Sequence, residues 1–177
     1  MGGSNNKCIG ILGGSFDPPH RGHLEISKIA IKKLSLDQVY WCITEKNPKK
    51  KKAFFTLSER IKKCKIITKK IKKIKIKFLE KKIKSNYTIN LIKYFKKKIS
   101  KNNYYLIIGS DNLIEFHRWK SWKLITKLTK IVVFSRKDYD KKAKKSDTMR
   151  QVNKIIFIKN KPINISSTKI KSIYHKN

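Results

Sequence analysis

The apolar run Cys8-Ile9-Gly10-Ile11-Leu12 empties directly into Gly13-Gly14-Ser15-Phe16-Asp17-Pro18-Pro19-His20-Arg21-Gly22-His23, and this junction constrains the fold more than any other stretch. The run reads as a short buried strand. Leu24 to Ile31 carries the apolar spacing of a helix. Between them the sequence predicts a tight glycine turn, in which Gly13 and Gly14 let the backbone approach a ligand with no Cβ in the way. A strand, a glycine turn and a helix N-terminus present backbone N–H groups to an anion, so the junction suits phosphate. His20 and His23, three residues apart in a first helical turn, share one face and can grip the same group. Taken singly, two glycines after a strand or a pair of histidines have ordinary structural explanations. The eleven residues as one block are far more specific.

The rest of the chain repeats the same alternation. Gln38 to Ile43 is an aromatic and β-branched run that predicts a second strand. Asn47-Pro48 breaks the pattern, and Lys49 to Lys52 predicts a solvated loop. Thr56 with Glu59 resembles a capping box opening a helix that runs to about Ile71. Ile74 to Leu79 alternates with period two, as a half-buried strand does. A helix follows from Thr88 to about Lys98, then a strand over Tyr104 to Ile108 that stops at a turn, Gly109-Ser110-Asp111. A short helix from Lys123 to Leu128, strands over Ile131 to Phe134 and Ile155 to Ile158, and a lysine-rich loop over Lys141 to Lys145 complete the middle. Ile165 to Lys171 predicts the start of a last helix capped by a hydroxyl residue.

Strands alternating with helices imply a Rossmann-like, doubly wound α/β fold: one domain, a mostly parallel sheet and helices on both faces. Residues 1–7 read as a loose leader and 8–177 as the domain. Ligands of such sheets bind beyond the carboxyl ends of the strands, at the switch point of strand order. His20, Asn47, Asp111, Arg136 and Ser167 all follow predicted strands on that side.

Composition matters here because it offers a competing function. Forty-six basic residues against 11 acidic ones give a net charge of +35, which favours polyanions through counterion release. The cations are nearly all lysine, however, with arginine only at positions 21, 60, 118, 136 and 150. They are spread through every predicted helix. Lysine, isoleucine and asparagine, all abundant, are the products of A+T-rich codons. The charge therefore reads as background, and no specific nucleic-acid partner is expected. Cys8, Cys42 and Cys64 lack metal-ligand spacing and read as reduced and buried. No apolar run is long enough to span a membrane. A reducing cytoplasm fits these features.

The block from Gly13 to His23 resembles the H-x-G-H segment of the nucleotidylyltransferase superfamily, which implies adenylyl or cytidylyl transfer. Four further segments narrow the resemblance to the bacterial nicotinate-nucleotide adenylyltransferase family. They are Asn47-Pro48-Lys49-Lys50, Ser85 to Leu91 against Y-T-x-x-T-L, Gly109 to Trp122 against G-x-D followed by W-x-x-W, and Ile165 to Lys171 against I-S-S-T-x-I-R. They occur in family order and cover most of the chain.

The resemblance implies transfer of adenylyl from ATP to nicotinate mononucleotide, giving nicotinate adenine dinucleotide and pyrophosphate in NAD biosynthesis. It assigns catalysis to His20, His23 and Lys171. It places ATP against Gly13, Gly14, Ser15, Phe16, Gly109, Asp111, Ser166, Ser167 and Thr168. Nicotinate mononucleotide would meet Asn47, Lys50, Thr88, Trp119, Lys120 and Arg136, with Trp119 stacking on the ring and Thr88 reading its carboxylate. Mg²⁺ would bridge phosphate oxygens with no ligand from the protein. The small-molecule partners would be these two substrates, and the protein a monomer or homodimer.

For Trp119 and Trp122 the alternative is core packing on one helical face; for Asp111 it is a turn or cap. The acceptor alternatives are nicotinamide mononucleotide and phosphopantetheine, and outside the enzyme class stands a basic nucleic-acid-binding protein on the same fold. Three departures from the family pattern stand out. Lys171 replaces arginine, turning a bidentate contact into a point charge. Asn90 replaces a threonine. The chain ends six residues after Lys171, which predicts a short last helix and weaker closure over the triphosphate.

Overall fold

The protein is seen in a computed structural model that describes residues 6–45, 53–98, 100–152, 154–160 and 167–174. Six strands form one sheet: β1 Cys8–Gly14, β2 Gln38–Ile43, β3 Ile74–Lys77, β4 Asn103–Gly109, β5 Lys130–Phe134 and β6 Ile155–Ile158. Their order is β3-β2-β1-β4-β5-β6, and every neighbouring pair is parallel. The chain winds outward from β1 through β2 to β3, then returns to lay β4 against the other side of β1. The crevice between β1 and β4 is therefore the switch point.

Period-two alternation sorts the strand residues into two cores. Tyr104, Leu106 and Ile108 of β4 join Ile9, Ile11, Ile131 and Val133 on one face. Helix α4 (Thr88–Lys98) closes that face with Ile89, Ile92 and Phe95, and α6 (Trp122–Leu128) adds Ile125. Tyr105 and Ile107 join Leu12, Val39, Trp41 and Val132 on the other face. There α1 (Arg21–Lys33) contributes Ala30, and α2 (Leu57–Thr68) contributes Cys64. Covering both faces makes the central strands continuous apolar runs, and that is why they stood out in the sequence.

Short helices make up the rest: α3 (Glu80–Ile83), α5 (Ser110–Ile114), α7 (Asp140–Lys144), α8 (Asp147–Gln151) and α9 (Ser167–Tyr174). The expected capping box at α2 is present. The Thr56 amide donates to Glu59 Oε2 at 2.8 Å, and Thr56 Oγ1 accepts the Glu59 amide at 3.3 Å. Cys42 and Cys64 are buried, and all three cysteines are free thiols. No helix among the described residues is long and apolar enough to cross a membrane.

Four expectations are corrected. Gly13 and Gly14 form no turn; they extend β1, paired with Cys42 and Ile43 of β2. The bend comes later, at Phe16, whose φ of 47° is left-handed, and at the cis Asp17–Pro18 bond. The lysine run at 141–145 is mostly helical, because one inward residue, buried Ala143, suffices to seat a single turn. Phe78 and Leu79 fall outside β3, an edge strand whose pairing with β2 ends at Lys77. Trp119 and Trp122 do not share a helical face. Trp119 follows a 3-10 turn (Phe116–Arg118), Ser121 turns left-handed at φ 55°, and Trp122 then opens α6. Both indoles still pack against Phe116, at centroid distances of 5.1 and 6.4 Å.

Candidate active site

The paired histidines cap a helix with each other. His20 is the N-cap of α1, in extended conformation, and its Nδ1 accepts the Gly22 amide at 3.1 Å. His23 Nδ1 accepts the His20 amide at 3.3 Å, closing a reciprocal capping box. With Nδ1 accepting, an imidazole in its neutral form carries its proton on Nε2. The ring centroids are 3.9 Å apart. Burial, with the Arg136 charge beside it, lowers the His20 ring to about 4, so it is neutral at physiological pH.

An aromatic stack holds this pair. His23 packs on Phe16 at 4.8 Å, and Phe16 stacks on Trp41 at 4.9 Å. Trp41 Nε1 donates to Ser27 Oγ, which in turn donates to the His23 carbonyl, both at 2.8 Å. The left-handed backbone of Phe16 costs roughly 1–2 kcal/mol. Burial of its ring, 1% exposed, returns about 1.5–3 kcal/mol and settles the balance. Phe16 thus serves as a brace beneath the histidine pair.

Arg136 and Asp111 face each other beyond β4 and β5. Arg136 Nε lies 3.2 Å from Asp111 Oδ1, and Nη1 donates to Oδ2 at 3.3 Å. Oδ1 has this charge contact but no hydrogen bond among the described residues. The Arg136 amide is fixed by Ser110 Oγ and by Asp140 Oδ1, at 2.9 and 3.0 Å. Gly109 is required beneath the pair: a Cβ there would sit 2.3 Å from Asp111 Oδ1 and 2.7 Å from Arg136 Nε.

At the switch point opens a cavity of about 540 Å³, lined by Gly13, Gly14, Thr44, Thr88, Trp119 and Lys120 among others. The structure so gathers residues from distant parts of the sequence into one space beside the histidine loop. The Lys120 ammonium lies 4.4 Å over the Tyr87 ring. Ser85 Oγ accepts from the Tyr87 amide and from Asn90 Nδ2, so Asn90 orders the turn that presents Thr88.

Lys171 meets the loop that carries the histidines. Its ammonium pairs with the buried Asp17 carboxylate, and Ser167 Oγ donates to the Pro18 carbonyl at 3.0 Å. Burial would raise the Asp17 carboxyl, but Lys171 and the amides of Phe55 and Phe54 outweigh it and hold it below its ordinary value. Asn47, Lys50 and Ser166 lie outside the described residues, as does the side chain of Thr168.

Three residues escaped the sequence reading. Asp17 accepts the amides of Phe54 and Phe55, each at 2.9 Å. Glu80 accepts from Thr44 Oγ1 and from the Glu45 amide. Arg60 is buried among backbone carbonyls. For Arg60 a signal existed: it is one of few arginines in a chain that otherwise uses lysine.

Residues 11–173 match the cytidylyltransferase-like family. A probable nicotinate-nucleotide adenylyltransferase of Pelagibacter ubique (strain HTCC1062) is 49% identical over 167 residues, covering 93% of this chain and 92% of that protein. Another, of Ruegeria sp. (strain TM1040), is 36% identical over 128 residues, covering 72% and 67%. Among solved structures, Plasmodium falciparum nicotinic acid mononucleotide adenylyltransferase complexed with NaAD superposes with a TM-score of 0.79 over 94% of this chain and 83% of that one. At 20% identity, that likeness is one of fold.

Proposed function

The chain belongs to the nicotinate-nucleotide adenylyltransferases of the cytidylyltransferase-like family, and on that premise we propose that it joins nicotinate mononucleotide to ATP, releasing pyrophosphate. The observation that carries the chemistry is the histidine pair, whose Nδ1 atoms are both committed to backbone amides at the start of α1, so that each neutral ring carries its donor proton on Nε2. The 5′-phosphate of the acceptor is an anion at neutral pH and attacks the α-phosphorus of ATP without a general base. The protein's task is alignment and absorption of developing negative charge.

His20 and His23 would donate to phosphate oxygens on the α-phosphate, supported by the N-terminus of α1. Neutrality suits His20 to this role, since it binds without giving up its proton. Arg136 adds a positive charge close by, and Asp111, paired with it, would accept a ribose hydroxyl of adenosine. Gly13, with open space where a Cβ would project, admits the nucleotide close to the strand end. Gly14, Ser15 and Gly109 would contribute backbone to the same side. Ser166, Ser167 and Thr168 would receive the β- and γ-phosphates. In the cavity, Trp119 would stack on the nicotinate ring, with Thr88 and the backbone near Lys120 reading its carboxylate and Asn47 and Lys50 at the phosphate end.

Mg²⁺ fits as a companion of ATP. The ion would be held by phosphate oxygens and water, neutralising charge on the leaving pyrophosphate. The deciding experiment is pyrophosphate release with ATP and Mg²⁺, run in parallel with nicotinate and nicotinamide mononucleotides. A strong preference for nicotinate is expected. Preference for the amide would keep the chemistry and overturn the acceptor. Silence with both from folded protein would overturn the reading.

A further inference from the structure

Arg60, on the first turn of α2, is only 2% exposed and makes no ion pair among the described residues. Its guanidinium reaches backbone carbonyls instead. Nε donates to Phe55 at 3.2 Å, Nη1 to Ser15 at 2.8 Å and to Thr44 at 2.7 Å, and Nη2 to Glu45 at 3.1 Å. A buried cation is retained only where its hydrogen bonds are well made, and here every partner is a carbonyl.

The identity of those carbonyls is what points to function. Ser15 belongs to the loop that leads from β1 to the histidine pair. Thr44 and Glu45 form the exit of β2, and Thr44 itself lines the cavity. Phe55 is gripped from both sides, its carbonyl by Arg60 and its amide by Asp17, which also holds Lys171 of α9. One planar fork thus ties the loop on the ATP side to the strand exit on the mononucleotide side, and through Phe55 to the loop's own Asp17.

Resting on the adenylyl-transfer reading, we propose that Arg60 is a positioning residue: it touches neither substrate but sets the spacing between the backbones that carry the two. Two anionic reactants must meet with attacking and receiving atoms about 3–3.5 Å apart, and a misplacement of about 1 Å can cost ~10²-fold in rate. Lysine at this position keeps the charge but presents its donors from a single point, and it cannot span carbonyls on three separate segments.

The test compares full-length wild type with Arg60→Lys. Melting temperature is measured first, then the affinity for ATP alone and for nicotinate mononucleotide alone, then kcat with both saturating. All assays run at the same interval below each protein's own melting temperature. The expected result is a folded variant whose separate affinities move less than about threefold while kcat falls about 10- to 100-fold. A merely structural role would not produce that split. Three results would overturn the positioning role: kcat within twofold of wild type, loss confined to substrate affinity, or a variant that cannot fold. Wild-type silence in the same assay would instead sink the adenylyl-transfer reading, and the proposal with it.

Discussion

A histidine that caps a helix and one that binds phosphate make demands on different ring nitrogens, and His20 can meet both. Nδ1 takes the Gly22 amide, leaving Nε2–H for the ligand. Asparagine caps helices as well as any residue but offers no donor at the Nε2 position. His20→Asn should therefore melt within a degree or two of wild type while kcat falls ~10²–10³-fold. His20→Ala should lose the same rate and, in addition, about 1 kcal/mol of stability, read from urea denaturation. Equal stability in the two variants would remove the capping role. The lowered His20 value also has a pH consequence. The unfolded ring takes up a proton near 6.5, whereas the folded ring resists until about 4. Stability from this residue is full above 6.5 and is lost as pH falls across that window. In His20→Asn, the decline of melting temperature between pH 6.5 and 4 should be shallower than in wild type. At Gly109 the backbone φ of −86° would accept any residue, so the constraint is contact alone. A methyl there pushes on the movable ends of Asp111 and Arg136. Gly109→Ala should thus fold near-normally yet raise the KM for ATP several-fold, and an unchanged KM would release Asp111 and Arg136 from the nucleotide.

Among the elements, α9 carries the least expected connection. The Lys171 ammonium is bound to Asp17 and Ser167 Oγ to the Pro18 carbonyl, so the last helix is docked onto the histidine loop. Asp17 uses both oxygens on backbone amides and still accepts Lys171. Asparagine there would turn an NH2 group toward an amide and leave Lys171 unpaired. Asp17→Asn should cost about 3 kcal/mol or more, the range for removing one partner of a buried pair. Lys171→Met should cost less, because the carboxylate keeps its two amides. Equal costs in urea denaturation would place the value of the pair in Lys171 instead. Such connections explain what could and could not be read from the sequence. The central strands were legible because burial on both faces leaves continuous apolar runs, the edge strand β3 because it alternates with period two, and α2 because Thr56 and Glu59 announce its start. The helix at Asp140–Lys144 was not, since a single buried alanine among lysines has no periodicity. In the candidate site, His20, His23, Thr88 and Trp119 are proposed from local motifs. Arg60 and Asp17 are not, because their partners lie tens of residues away and are mostly backbone atoms, which carry no sequence signature.

For the molecule as a whole, the sequence left one large quantity without a role, the charge of +35. The folded chain does not compensate it, since lysines outnumber the carboxylates several-fold and few ion pairs form among the described residues. Like charges brought together by folding repel, so the compact state bears a penalty that the expanded state partly escapes. Salt screens that repulsion, with a Debye length of about 10 Å at 0.1 M against about 30 Å at 0.01 M. The same field, however, draws the two anionic substrates toward the site and raises their encounter rate. Ionic strength should consequently move stability and catalysis in opposite directions. Raising NaCl from about 0.01 to about 0.3 M should increase the melting temperature by several degrees while lowering kcat/KM for ATP, and kcat itself should hold steady because the bound reactants are screened much less. Melting curves and initial rates across one salt series provide the check. A melting temperature that fell with salt would mean the lysines are engaged in favourable pairs after all. A kcat/KM indifferent to salt would mean the charge is background for the substrates too, and that recognition rests on the short-range contacts of the histidine loop, Arg136 and the cavity.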